Sequence, residues 1–284
     1  MNKRIKAYAE MVLAKKPAGR LLTIFPDDIF VVGYVRSGST WCRFLFGNYI
    51  HQDEAVTFAN LDVRVPSIYS WPDRILRKLP RILKSHEYFD PRYPRTIYIV
   101  RDPRDVAVSF YFYNLKVRVI PDGYPMEDFV KRLIAARVVD YADRVGNWEE
   151  NVMSWVRMRQ GSKNFCLIRY EDLLSDPVRE LTRASLMLGI EPTPERIERA
   201  IKLSSASHMR KLEKSQSDKW VTTKGTRQDI PFVREAKSGG WRDRLSEASV
   251  RIIEEAWGPS MRELGYELAS GARPSLEQQL EPQA

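Results

Sequence analysis

Residues 29 to 50 limit what this chain can fold into more than any other stretch. Ile29 to Val35 (IFVVGYV) is a short apolar run rich in β-branched residues, entered through the turn formers Pro26-Asp27-Asp28, and it reads as a buried strand. Arg36-Ser37-Gly38-Ser39-Thr40 then interrupts the apolar pattern. Trp41 to Ile50 (WCRFLFGNYI) has apolar residues at too many positions for a two-faced strand. The simplest parse is strand, tight glycine-containing turn, buried helix.

The strand texture returns at Arg81 to Ser85, Thr96 to Arg101 (TIYIVR) and Phe165 to Tyr170 (FCLIRY), separated by material long enough for helices. Such interleaving predicts an α/β fold, a parallel sheet covered on both faces. Helices are expected at Pro103 to Tyr113, Trp148 to Arg159, Pro177 to Leu188, Pro194 to Leu203 and Ser246 to Leu264. Pro177 and Pro194 suit first-turn positions, and Gly189 and Gly265 suit helix ends. Gln52 to Pro80, Leu115 to Asn147 and Leu212 to Gly240 read as irregular, lid-like stretches. No repeat or linker divides the chain, so residues 1–269 are expected to be one domain with an N-terminal helical segment at 1–26. The polar residues 270–284, with Pro274 and Pro282, read as a disordered tail.

Composition bounds the class of protein. Of 284 residues, 43% are hydrophobic and 29% charged, which suits a globular chain with a sizeable core. Lys3, Arg4, Lys6, Lys15, Lys16 and Arg20 break up any signal peptide, and nothing approaches the ~20 apolar residues of a membrane span. The cytoplasm is therefore the expected compartment. Cys42 and Cys166 are the only cysteines and read as buried reduced thiols. The net charge of +9 suggests an anionic partner, whether nucleic acid, acidic membrane or phosphate-rich small molecule, or simply an excess of surface Lys and Arg.

Three segments carry chemistry. In Arg36 to Trp41, Gly38 permits a tight turn, the following amides point outward at a helix N-terminus, and the hydroxyls add donors, so the loop can cradle an oxyanion. The spacing of a nucleotide triphosphatase loop is absent. Lys84-Ser85-His86 closes a strand, where open α/β sheets place their sites, and His86 is a better base candidate than His51 or His208. Arg101-Asp102-Pro103-Arg104-Asp105 runs from a strand into a helix that carries Ser109 two turns later, which would set a guanidinium and a hydroxyl around a second phosphate. Each segment alone has an ordinary structural explanation; the three in this order do not.

With these motifs in place, the chain resembles the cytosolic-type sulfotransferase family. The resemblance rests on the K/R-S-G-T/S-T-W loop at Arg36 to Trp41 and Lys-x-His at Lys84 to His86. It continues with R-x-x-x-D-V-A-V-S at Arg101 and Asp105 to Ser109, Tyr170-Glu171-Asp172, and Arg234 followed by Gly239 to Trp241. It implies a P-loop-like three-layer α/β fold with a central parallel sheet. It further implies a co-substrate, 3′-phosphoadenosine 5′-phosphosulfate, with no metal, a small-molecule acceptor hydroxyl, and no nucleic acid partner. By the same resemblance Arg36 would hold the 5′-phosphate and bridging oxygen, with Ser37, Gly38, Ser39 and Thr40 as donors, and Trp41 would lie on the adenine. Arg101 and Ser109 would bind the 3′-phosphate. Tyr170, Ser205 and Met209 would surround the base, and Arg234 would close over the 3′-phosphate. Lys84 and Arg36 would neutralise the departing nucleotide while His86 takes the acceptor's proton.

Several positions depart from the family. Arg36 stands where most members have Lys. The late R-K-G is Arg234-Glu235-Ala236, Ala206 replaces an aromatic, and the C-terminal dimerisation pattern is not met around Arg242 to Arg251. Two other readings compete. One is a nucleotide-dependent kinase with magnesium on Asp102 or Asp105; the other is a non-enzymatic nucleic-acid binder. For the acceptor, Tyr69, Trp71, Phe89, Tyr113, Tyr124 and Trp148 could line a pocket or anchor loops.

Overall fold

Strands β1 (Ile29–Gly33), β2 (Ile82–Ser85), β3 (Arg95–Val100) and β4 (Phe165–Arg169) pair in parallel in the order β2-β1-β3-β4. Val32 stands opposite Ser85 on one side and Tyr98 on the other. The structure, a computed structural model, describes residues 16–138, 142–220 and 222–269. The tail expected at 270–284 lies outside the described residues, as does most of the expected N-terminal helical segment. Residues 16–26 hold only a 3-10 turn, Gly19–Leu21, where Pro17 and the positive φ of Gly19 (50°) oppose an α-helix.

Among the described residues the helices longer than four residues are α1 (Ser39–Ile50), α2 (Pro103–Lys116), α3 (Met126–Ile134), α4 (Trp148–Arg159), α5 (Tyr170–Ser175), α6 (Pro177–Leu188), α7 (Pro194–Leu203), α8 (Ala206–Gln216) and α9 (Glu247–Glu263). Strand alternation assigns them to layers. Phe30, Val32, Tyr98 and Val100 face a core completed by Val106 of α2, Phe129 of α3, Trp148 and Trp155 of α4, and Trp257 of α9. Ile29, Val31, Ile97 and Ile99 face the other side, against Leu45 and Phe46 of α1, Leu181 of α6 and Ile197 of α7. The three-layer parallel arrangement expected from the sequence is the one observed.

Local chemistry fixes the boundaries. Pro177 and Pro194 take the first helical positions behind the caps Asp176 and Thr193, and Gly189 closes α6 in the left-handed conformation. β1 stops at Gly33 rather than Val35, because the Ser37 amide turns back to Tyr34 O at 3.1 Å. β4 likewise stops at Arg169, and Tyr170 opens α5. All three stretches expected to be irregular are partly helical, residues 52–80 through the single turns Leu61–Arg64 and Asp73–Leu76. Residues 115–147 contain α3, whose Phe129, Val130 and Leu133 are buried, and α8 runs on to Gln216. A third cluster of Phe44, Phe58, Met209, Trp220 and Phe232 packs the Trp220 and Phe232 side chains onto α1.

Candidate active site

All four strands point their carboxyl ends at one edge, where the connections after the neighbours β1 and β3 part to opposite faces of the sheet, into α1 and α2. At that edge lies a cavity of about 1140 Å³. Arg36, Gly38, Ser39, Thr40 and Trp41 reach it from β1, Lys84 and His86 from β2, Arg101 and Ser109 from β3, and Tyr170 from β4. Ser205, Met209 and Arg234 complete the predicted set. Ser37 alone does not line the cavity. It is fully buried behind the loop with its amide committed to Tyr34 O, and among the described residues its Oγ has no hydrogen-bond partner.

The turn after β1 is shaped by backbone that ordinary residues avoid. Arg36 has φ 66° and Gly38 φ 101°. A Cβ on Gly38 would sit 2.6 Å from Tyr170 Cδ2, so the glycine is required both by conformation and by the ring beside it. The first-turn amides of α1 have no partner within their own helix and open on the cavity side. Arg36 Nε donates to Ser109 Oγ at 3.3 Å, and its guanidinium lies over the rings of Tyr113 (4.7 Å) and Phe232 (4.8 Å). Burial pushes the Arg36 pKa down to about 10, with Arg101 and Arg234 adding to the effect, so the group stays charged at neutral pH and lacks a full counter-charge.

His86 is 7% exposed, and its Nδ1 lies 2.5 Å from Gly33 O. A carbonyl only accepts, so Nδ1 carries the proton and Nε2 keeps its lone pair. The pairing follows from β1 and β2 being neighbours in register. The Tyr69 hydroxyl accepts from the His86 amide at 3.1 Å, and Asn151 Nδ2 donates to its carbonyl at 3.0 Å, which locks the residue at the strand end. Burial, then the charge of Lys84, holds the imidazole pKa well below 6.5. Lys84 Nζ lies 4.9 Å over the Tyr69 ring, and its own pKa is driven well below the ordinary lysine value by burial and by Arg43. The other histidines do different work: His51 Nε2 bonds Arg64 O at 3.0 Å, and the His208 amide is capped by Ser205 Oγ.

Around the second anion motif, the Arg101 guanidinium covers the Tyr170 ring at 4.2 Å and donates to Lys237 O at 3.1 Å. Among the described residues its buried Nε has no partner. Arg234 lies 3.9 Å over the Phe112 ring. Asp105 accepts from the amides of Gly239 (2.8 Å) and Trp241 (3.0 Å), so it fastens the far end of the late loop. Glu213 fastens the near end, accepting from Phe232 N at 2.5 Å and Val233 N at 2.9 Å, with Lys116 Nζ 3.8 Å away. Glu213, Lys116 and Phe232 carried no motif, and only the fold brings them to the site.

Trp41 meets the Tyr170 ring edge-to-face at 5.4 Å, and Ser205, Ala206 and Met209 stand across the same end of the cavity. Ser205 also caps α8. Of the aromatics left open between pocket and core, Tyr69 and Tyr113 line the cavity. Trp71 bonds Asp62 O, Trp148 is fully buried with Nε1 on Arg101 O, Phe89 packs on Trp155, and Tyr124 O accepts from Tyr111. The carboxylates a kinase would offer magnesium are engaged elsewhere, Asp102 with the Arg104 guanidinium at 2.7 Å and Asp105 with the two loop amides.

Comparison with known proteins agrees with this geometry. The sulfotransferase domain family matches residues 26–265. Sulfotransferase 1E1 of Rattus norvegicus is 25% identical over 256 residues, 84% of each chain. The 3-beta-hydroxysteroid sulfotransferase of Cavia porcellus is 25% identical over 251 residues, 83% of this chain and 84% of that protein. Among solved structures, retinol dehydratase with androsterone and the inactive cofactor PAP superposes with a TM-score of 0.71 at 18% identity, covering 90% of this chain and 85% of that one. Mouse sulfotransferase SULT7A1 complexed with PAP gives 0.66 at 22% identity, covering 86% and 87%. Cradle, strand-end histidine and match across nearly the whole described chain lead to one conclusion: the chain belongs to the sulfotransferase family.

Proposed function

We propose that this cavity transfers a sulfuryl group from 3′-phosphoadenosine 5′-phosphosulfate to the hydroxyl of a small-molecule acceptor, with His86 as general base. The observation that carries the base assignment is the 2.5 Å contact between His86 Nδ1 and Gly33 O, which leaves Nε2 as the proton-accepting nitrogen at the cavity wall. The depressed imidazole pKa keeps that nitrogen unprotonated at neutral pH.

The residues fit the nucleotide. The buried Arg101 Nε lacks a partner among the described residues, and the Arg36–Arg101–Arg234 cluster suits an anion with two phosphates. When bound, the nucleotide supplies the sulfuryl group and departs as adenosine 3′,5′-bisphosphate. Arg36 and the α1 amides hold the 5′ end, Arg101, Ser109 and Arg234 hold the 3′-phosphate, and Trp41, Tyr170, Ser205 and Met209 enclose the base. Lys84 neutralises charge on the leaving oxygen; a nearby anion favours its protonated form and reverses the effect of burial. His86 takes the acceptor's proton as the acceptor oxygen forms its bond to sulfur and the bond to the bridging oxygen breaks. Positioning and charge neutralisation supply the rest, as in phosphoryl transfer.

This reading assigns the anionic partner implied by the charge of +9 to a nucleotide rather than nucleic acid. It also takes the cytoplasm as the compartment, in keeping with the two free, buried thiols. The test is His86→Ala. Turnover is expected to fall ~10²–10⁴-fold while the dissociation constant for adenosine 3′,5′-bisphosphate changes little. Comparable turnover in the variant would overturn the base assignment.

A further inference from the structure

The late loop is held at both ends by carboxylates, Glu213 on Phe232 and Val233 and Asp105 on Gly239 and Trp241, and its middle carries a third. Glu235 lines the cavity beside Arg234 and Lys237. Its Oε1 lies 3.4 Å from Arg234 Nη2 and 3.3 Å from Arg244 Nη2, and its Oε2 lies 3.1 Å from Lys237 Nζ. Lys237 also reaches Asp243 at 3.4 Å. Ala236, next in the chain, is left-handed at φ 52°, a conformation a side chain resists, so the loop holds Glu235 in place against local strain.

We infer that Glu235 is an internal counter-anion that competes with the nucleotide's 3′-phosphate for Arg234, lowering affinity for the bisphosphate product and easing its release. The inference rests on the reading above, in which Arg101 and Arg234 face the 3′-phosphate. Arg36, Arg101 and Arg234 repel one another across this end of the cavity; each stacks on a ring, and among the described residues Arg101 has only Asp105, at 3.9 Å and shared with two loop amides, as a counter-charge. Glu235 is the carboxylate in contact with Arg234, and a phosphate arriving there meets both its attraction for the guanidinium and its repulsion. The effect is confined to the 3′ end, because the Arg36 loop and the α1 amides contact the other phosphate.

Titration of wild-type protein and Glu235→Gln with adenosine 3′,5′-bisphosphate and with adenosine 5′-monophosphate isolates this effect. The variant is expected to bind the bisphosphate about five- to tenfold more tightly, with the monophosphate unchanged, and to turn over more slowly where product release limits the rate. Weaker or unchanged bisphosphate binding by the variant would make Glu235 a scaffold for the two cations and overturn the inference. Equal tightening for both nucleotides would overturn it too, as a general change in loop stability. Wild-type protein that does not distinguish the two nucleotides would instead overturn the functional reading beneath it.

Discussion

The proton on His86 Nδ1, fixed by Gly33 O, decides which nitrogen can serve as base, and burial decides when it can serve. Because the folded pKa lies below the ordinary 6.5, the free protein holds the neutral imidazole that the proposed base requires at pH 7 and loses it only under acid conditions. The acid limb of kcat/KM is therefore expected below about pH 6.5; a limb at or above that value would contradict the assigned environment. The linkage to stability has the same direction. Below about pH 6.5 the unfolded chain takes up the proton and the folded chain does not, so His86 lowers stability as pH falls, and His86→Gln should weaken that dependence in pH-resolved denaturant unfolding. Ser37 offers a second check at this scale. Its buried Oγ has no partner among the described residues, so Ser37→Ala should leave thermal stability nearly unchanged, and a loss of about 1 kcal/mol or more in denaturant unfolding would contradict this.

The strand–turn–helix unit at the head of the site depends on Gly38. In Gly38→Ala the new Cβ meets the Tyr170 ring at 2.6 Å in a backbone region that disfavours alanine, so bisphosphate binding should fall at least ~10-fold; unaltered binding would show that the turn tolerates the change. The late loop should respond to Glu213→Ala. Phe232 and Val233 lose their acceptor, Lys116 loses its counter-charge, and Phe232 loosens from Arg36. A stability loss of about 1–3 kcal/mol and a raised KM for the nucleotide are expected from unfolding curves and steady-state kinetics. Legibility from sequence differed among these elements. Ile29–Gly33 and the helices begun by Pro177 and Pro194 were plain, since apolar runs and first-turn prolines are local signals. Helix α3 also had its signal, Phe129, Val130 and Leu133 at helical spacing, hidden inside a charged stretch. Glu213 and Lys116 had none, because their meaning comes from packing α8 and residues 227–233 against α2. The direct contact between Arg36 Nε and Ser109 Oγ also had no signal, since the two residues belong to separate motifs that only the fold brings together.

For the molecule as a whole, the parallel sheet gathers four strand ends, and with them nearly every predicted site residue, around one cavity. A ligand bound only by the folded chain stabilises it by about 2.7 kcal/mol at a hundredfold excess over its dissociation constant, so adenosine 3′,5′-bisphosphate should raise the melting temperature and Mg-ATP should not. The most direct test of sulfuryl transfer is a mass-spectrometric one. Purified protein is incubated with 3′-phosphoadenosine 5′-phosphosulfate and panels of phenols, alcohols, sugars and peptides, and acceptor and nucleotide products are counted together. An acceptor is expected to gain one sulfuryl group for each adenosine 3′,5′-bisphosphate formed, with both products reduced ~10²–10⁴-fold in His86→Ala. Bisphosphate formed without any sulfated acceptor, or sulfation undiminished in the variant, would contradict the proposed function.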